Sequence, residues 1–210
     1  MMQIPAVEDR RSFDGTCWDG VSEDTLVQAL AAPALVCVEA DLLIEGGSGC
    51  DDHGSPNRLG LTLSIRSIFR LAIAKAFVMA IDRRLPLCRE TRDRVHTALH
   101  EVLLNAVMHG HLKIDAALRD SLGGFGASHD IIAAQLDGDD FSQSRVSIDA
   151  QWTEERLVIA VHDNGIGYVP GTGRTAKRRG SGRGLLILEA FCDSVTHQNG
   201  GRSIILGFDL

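Results

Sequence analysis

What this chain lacks narrows its class first. Its five cysteines, Cys17, Cys37, Cys50, Cys88 and Cys192, are odd in number and scattered, with no Cys-x-x-Cys among them. That suits reduced thiols in a cytosol better than a disulfide framework. No secretory leader pattern is present, and no apolar run approaches the roughly 18 residues of a membrane span, so the expected location is cytoplasmic and off the membrane. A basic excess is missing too. Lys+Arg 21 against Asp+Glu 28 gives a net charge of −7, which disfavours nonspecific binding to nucleic acid or an anionic membrane. There is no serine nucleophile elbow. His96 and His100 stand one helical turn apart, but position 104 is leucine, so Glu101 has no zinc-protease His-Glu-x-x-His around it.

What remains is ordinary for one globular domain with additions: 210 residues, 44% hydrophobic and 23% charged. Residues 1–22 are polar and irregular. Ser22 is placed to cap a short helix that stops before Pro33. Residues 34–44 suit one or two strands, and 45–57 read as a loop. We expect 1–58 to be an extension without recognisable chemistry. From there the pattern gives a strand over 59–65 and one helix over 67–81 with an apolar face. A second helix runs over 90–109, with Val95, Leu99, Val102, Leu103, Ala106 and Val107 facing the core and Gly110 as a left-handed cap. Residues 112–143 form an irregular insert with two short helices. Alternation over 145–152, a turn at Thr153–Glu155 and an apolar run over 157–162 predict a hairpin. A helix from about Gly184 to Cys192 and a last hairpin turning at Asn199-Gly200-Gly201 complete the chain. Strands pairing mostly with sequence neighbours, with helices gathered together, predict an α+β two-layer sandwich: a mixed, mostly antiparallel sheet with helices on one face.

Three constellations carry chemistry. Asp163-Asn164-Gly165-Ile166-Gly167 follows a strand. A carboxylate there can accept from the exocyclic amine of a purine, and glycines admit close backbone approach. In a chain with 22 Gly this motif is weak by itself. Gly180-Ser181-Gly182-Arg183-Gly184-Leu185 opens a helix, whose N-terminus favours an anion. Arg174, Lys177, Arg178, Arg179 and Arg183 gather positive charge beside it. Glu101 and Asn105 lie at i and i+4, on one helix face. A carboxylate and a carboxamide so placed suit Mg²⁺ coordination and orientation of a water or hydroxyl. A solvated helix face is the plainer alternative.

In chain order, Glu101–Asn105, Asp163–Gly167 and Gly180–Leu185 resemble the N, G1 and G2 boxes of the GHKL ATPase superfamily. Glu101 to Gly110 (EVLLNAVMHG), the Gly182-Arg183-Gly184-Leu185 run, and Gly200-Gly201 before the last strand are most similar to anti-sigma-factor serine/threonine kinases of the RsbW/SpoIIAB type. The likeness covers about 59–111 and 144–210, leaving 1–58 and the insert at 112–143 outside it. It implies a Bergerat-type sandwich that binds ATP and Mg²⁺. Asp163 would hold the adenine amine, with Gly165 and Gly167 shaping the base pocket. Asn105 would ligate Mg²⁺, Glu101 would act as general base, and His109 and Gly110 would close the N box. Gly180, Gly182, Arg183, Gly184 and Leu185 would line the phosphates, under a lid formed by 168–181. From its glycine content and lack of apolar anchors we expect part of 170–181 to be disordered without nucleotide. The implied activity is phosphorylation or sequestration of a regulatory protein, such as a sigma factor, an anti-anti-sigma protein or a response regulator, with a homodimer as one arrangement. A non-catalytic ATP-gated binding module and an ATP hydrolase without protein transfer are the alternatives. A sensor histidine kinase would need a helical hairpin that 1–58 is too short and glycine-rich to supply.

Overall fold

Seven strands form one mixed sheet in the order β1-β2-β3-β4-β5-β7-β6. The computed structural model describes residues 15–43, 56–112, 132, 136, 141–167 and 183–210. In chain order the described elements are β1 (Thr16–Trp18), α1 (Glu23–Ala29), β2 (Val36–Glu39), α2 (Ala40–Leu43), β3 (Arg58–Ser64), α3 (Ile65–Arg70), α4 (Ile73–Asp82) and α5 (Arg89–Asn105). After a π-helical turn, Ala106–His111, come β4 (Arg145–Trp152), β5 (Arg156–Asp163), α6 (Arg183–Phe191), β6 (Ser194–Gln198) and β7 (Ser203–Asp209). The architecture is α+β, compatible with a two-layer sandwich. Pairing is antiparallel from β3 through β4, β5 and β7 to β6.

Alternation explains which face is covered. Leu59, Leu61 and Leu63 of β3, Val146, Ile148 and Ala150 of β4, and Leu157, Ile159 and Val161 of β5 point to one face and are buried there with the apolar sides of α4 and α5. Each of these valine, leucine and isoleucine side chains contributes about 1.5–3 kcal/mol by leaving water. Arg58, Thr62, Ser147 and Asp149 take the other face, where Arg58 pairs with Asp149 at 2.6 Å and the Thr62 and Ser147 hydroxyls meet at 3.0 Å.

The described part of 1–58 belongs to this sheet. β1 and β2 add to β3 in parallel, and Trp18, Leu26, Leu30 and Cys37 enter the main core. Glu39 fastens it. Buried at the end of β2, its carboxylate accepts from the Ser64 backbone N–H at 2.7 Å and from the Ser64 and Ser67 hydroxyls at 3.0 and 2.9 Å. These bonds hold the start of α3. The expected strand region 34–44 is one strand, β2, followed by the helical turn α2. Leu42 of α2 packs on Val36 and Val38, apart from the main core.

Ser22 caps α1 as expected, accepting from Thr25 N–H at 3.2 Å. The helix expected over 67–81 is two helices. The backbone is extended at Leu71, and the Ala72 N–H, instead of continuing a helical ladder, donates to Glu23 Oε1 at 2.9 Å. Gly110 is not a left-handed cap either: it lies inside the π-helical turn, which runs on to His111. The final turn does bend as expected, with Asn199, Gly200 and Gly201 at φ +54°, +68° and +81°. The two helices expected in the insert fall largely outside the described residues, although Ile132 and Leu136 reach the core.

Candidate functional site

The site is built where α5 passes the end of β5. Glu101 and Asn105 share one face of α5, and Asn105 Nδ2 donates to Glu101 Oε1 at 3.1 Å. That bond leaves the Asn105 carbonyl oxygen free to ligate. Beyond Asn105 the helix widens, and Leu112 N–H reaches back five residues to the Val107 carbonyl at 3.0 Å. Such π turns recur at functional sites. This one brings Gly110 and His111 against the end of β5.

There, Asp163 ends the strand with its side chain 10% exposed. Its Oδ1 accepts from the Gly165 N–H at 2.8 Å. Burial pushes its carboxyl above the ordinary aspartate range, opposed by the Gly165 N–H and then by His111. The His111 imidazole, 5% exposed, lies with Nε2 4.0 Å from Asp163 Oδ1. Burial holds His111 below the usual histidine range, so it faces Asp163 as a neutral ring near pH 7.

Gly165 is required by contact: a Cβ there would drive into the Gly110 carbonyl. That same carbonyl accepts from the Ile166 N–H at 3.0 Å. Gly167 follows at φ +80°, against the Gly200 carbonyl. The third motif arrives through α6. Gly184 packs on Glu101 Oε1 so closely that a Cβ would overlap it, and such a Cβ would lie 3.1 Å from Asn105 Nδ2. The first turn of α6 thus sits on the Glu101–Asn105 pair, with the carboxylate at the positive end of the helix. The far end of α6 is tied to α5 by Arg94, which donates to the Phe191 carbonyl at 3.0 Å and pairs with Asp193 at 2.9 Å.

Between these parts lies a cavity of about 40 Å³. Its walls are apolar, from Val102, Ala106, Val161, Leu188 and Ile204, with Leu185 at one side. Its polar groups are Asn105, Asp163 and His197. The volume suits roughly three waters, less than a purine base occupies.

Glu101, Asn105, Gly110, Asp163, Gly165, Gly167, Gly184 and Leu185 therefore converge. His109 lies in the π turn and Arg183 begins α6, but neither side chain is among those described. Gly180, Gly182, the basic residues 174–179 and the expected lid at 168–181 lie outside the described residues. The sequence reading missed His197. Its signal was the alternation of Ser194–Gln198, which turns Val195 and His197 to the same face.

No protein-family profile matches the chain, and no curated protein matches it. Among the described residues, no three His, Cys, Asp or Glu side chains gather as a metal site. His96 and His100 simply stack, ring centroids 6.1 Å apart. Mg²⁺ fits the Glu101–Asn105 pair differently. Hard oxygen donors of one or two side chains suffice for it when phosphates and water complete the shell. Among the described residues no helix is long and apolar enough to cross a membrane.

Proposed function

We propose that this chain is an ATP- and Mg²⁺-dependent protein serine/threonine kinase of the anti-sigma-factor type, on a Bergerat-type fold, acting on a regulatory partner protein in the cytoplasm. The observation that carries the reading is the meeting of three separate motifs: Asp163 at the end of β5, Asn105 on α5 and Leu185 at the start of α6 line one cavity, and Glu101 and Gly184 adjoin Asn105. Chance glycine motifs would have no reason to assemble.

Each residue then has a task. Asp163 accepts from the exocyclic amine of adenine, and Gly165 lets the turn lie against α5. Asn105 offers its carbonyl oxygen to Mg²⁺, which when bound would neutralise charge on the phosphates. The N-terminus of α6, the positive end of its dipole, favours an anion. Glu101 stands beside it, placed to take the proton of an attacking serine or threonine hydroxyl, as positioning and charge stabilisation carry most of a phosphoryl transfer.

The test is calorimetry of Mg-ATP with wild type and Asp163→Asn. Micromolar binding that is lost in the variant is the expected result. Absence of binding to wild type overturns the nucleotide reading. A second reading, an ATP-gated binding module without catalysis, draws on the Glu101 carboxylate being engaged by Asn105 and covered by Gly184. ATP binding without transfer to any protein hydroxyl would favour it.

A further inference from the structure

Among the described residues, His197 is the one polar side chain on the cavity wall to which the nucleotide reading gives no task. It lies on β6, opposite Ile204 of β7, and turns inward with Val195. Both ring nitrogens, Nδ1 and Nε2, are buried and have no hydrogen-bond partner among the described residues. A neutral imidazole carries one donor and one acceptor. Leaving both unmet in a folded protein is costly and calls for an explanation beyond packing. An aliphatic residue at this position would fill the wall without that cost.

His111 has an unpartnered nitrogen too, Nε2. Its case is different. It is not on the cavity wall, and its ring is set against Asp163. Its burial there accounts for the environment of that carboxylate. Among the described residues His197 makes no such pairing, and it lines the cavity.

We propose that His197 is a base-reading residue, whose imidazole N–H donates to a ring nitrogen of adenine while Asp163 accepts from the exocyclic amine. This rests on the nucleotide reading above and deepens it. The two groups match the edge of adenine chemically. Its amine is a donor flanked by two acceptors, the ring nitrogens at positions 1 and 7. A carboxylate and an N–H donor lining one cavity are the complement of that pattern. Guanine places a carbonyl where adenine has its amine, opposite the Asp163 carboxylate, and is refused.

The experiment is calorimetry with Mg²⁺ complexes of ATP, 1-deaza-ATP, 7-deaza-ATP and GTP, on wild type and His197→Phe. The phenyl ring keeps most of the volume and removes both nitrogens. For wild type, one deaza analogue should bind about tenfold more weakly than ATP, the usual effect of one lost hydrogen bond. For His197→Phe, ATP should bind about tenfold more weakly than to wild type, and the same analogue should bind as well as ATP. Equal analogue penalties in both proteins, or undiminished ATP binding by the variant, overturn the proposal while leaving the nucleotide site standing. Imidazole ¹⁵N shifts of His197 in the wild-type chain give a readout that needs no variant. They should move to hydrogen-bonded values on addition of Mg-ATP, and unchanged shifts at saturation would overturn the assignment. If wild type binds no Mg-ATP, the site reading and this inference fall together.

Discussion

The backbone N–H of Ile166 donates to the carbonyl of Gly110 at 3.0 Å, joining the turn after β5 to the π-helical turn after α5. The two segments are more than fifty residues apart and meet main chain to main chain. Side chains only come between them at a cost. Gly165→Ala should therefore destabilise the fold by about 1–3 kcal/mol, as an overpacked contact does, because its methyl group would press on the Gly110 carbonyl. Denaturant unfolding measures this. A variant as stable as wild type would mean that the turn can retreat from α5.

Asp163 sets function against stability. Burial raises its folded pKa, so the fold binds that proton more tightly than the unfolded chain does. A raised carboxyl lowers stability at pH values above its folded pKa, and the deficit closes as pH falls through it. Asp163→Asn should lose Mg-ATP binding and yet melt at a higher temperature than wild type at neutral pH. The difference should shrink under acid. Thermal melts across that range decide it, and a variant less stable at neutral pH would contradict the expectation.

Glu101 should matter for transfer and little for affinity. Glu101→Ala is expected to lower the rate of phosphorylation of the partner by roughly 10²–10⁴, with Mg-ATP binding within a few fold of wild type. Single-turnover transfer from labelled ATP separates the two. A wild-type transfer rate in the variant would remove Glu101 from the chemistry.

Much of the fold was legible because alternation and turn chemistry are local. The strand predicted over 145–152 is β4, and Asn199-Gly200-Gly201 turns where its residue types favour positive φ. The break between α3 and α4 had no local sign. Leu71 and Ala72 are good helix formers, and the interruption comes with a distant carboxylate, Glu23, bonded to the Ala72 N–H. The π turn was equally hidden, since one extra residue in a turn leaves no mark in composition. Of the site, the residues Glu101, Asn105, Asp163 and Gly184 were readable from spacing. His197 needed the pairing of β6 with β7 to put it on the cavity wall.

The contribution of the N-terminal segment is testable through Glu39. Three donors meet its buried carboxylate. Glu39→Ala leaves them unmet and should cost about 2–3 kcal/mol, read from the shift of the denaturation midpoint. A shift within error would show that α3 holds its first turn without β2.

The sheet order also dictates how the site is held together. β4 and β5 form a local hairpin, and β6 and β7 another, so both can close early with little loss of chain entropy. α5 is different: it lies in the loop between β3 and β4, whose partners pair across a long stretch of chain, Arg58 with Gln151 and Ser64 with Arg145. Glu101 and Asn105 therefore lie inside the long loop that the β3–β4 pairing closes, whereas Asp163 lies in a local hairpin. The site joins a segment held by distant pairing to one held by local pairing, so no single local element contains it.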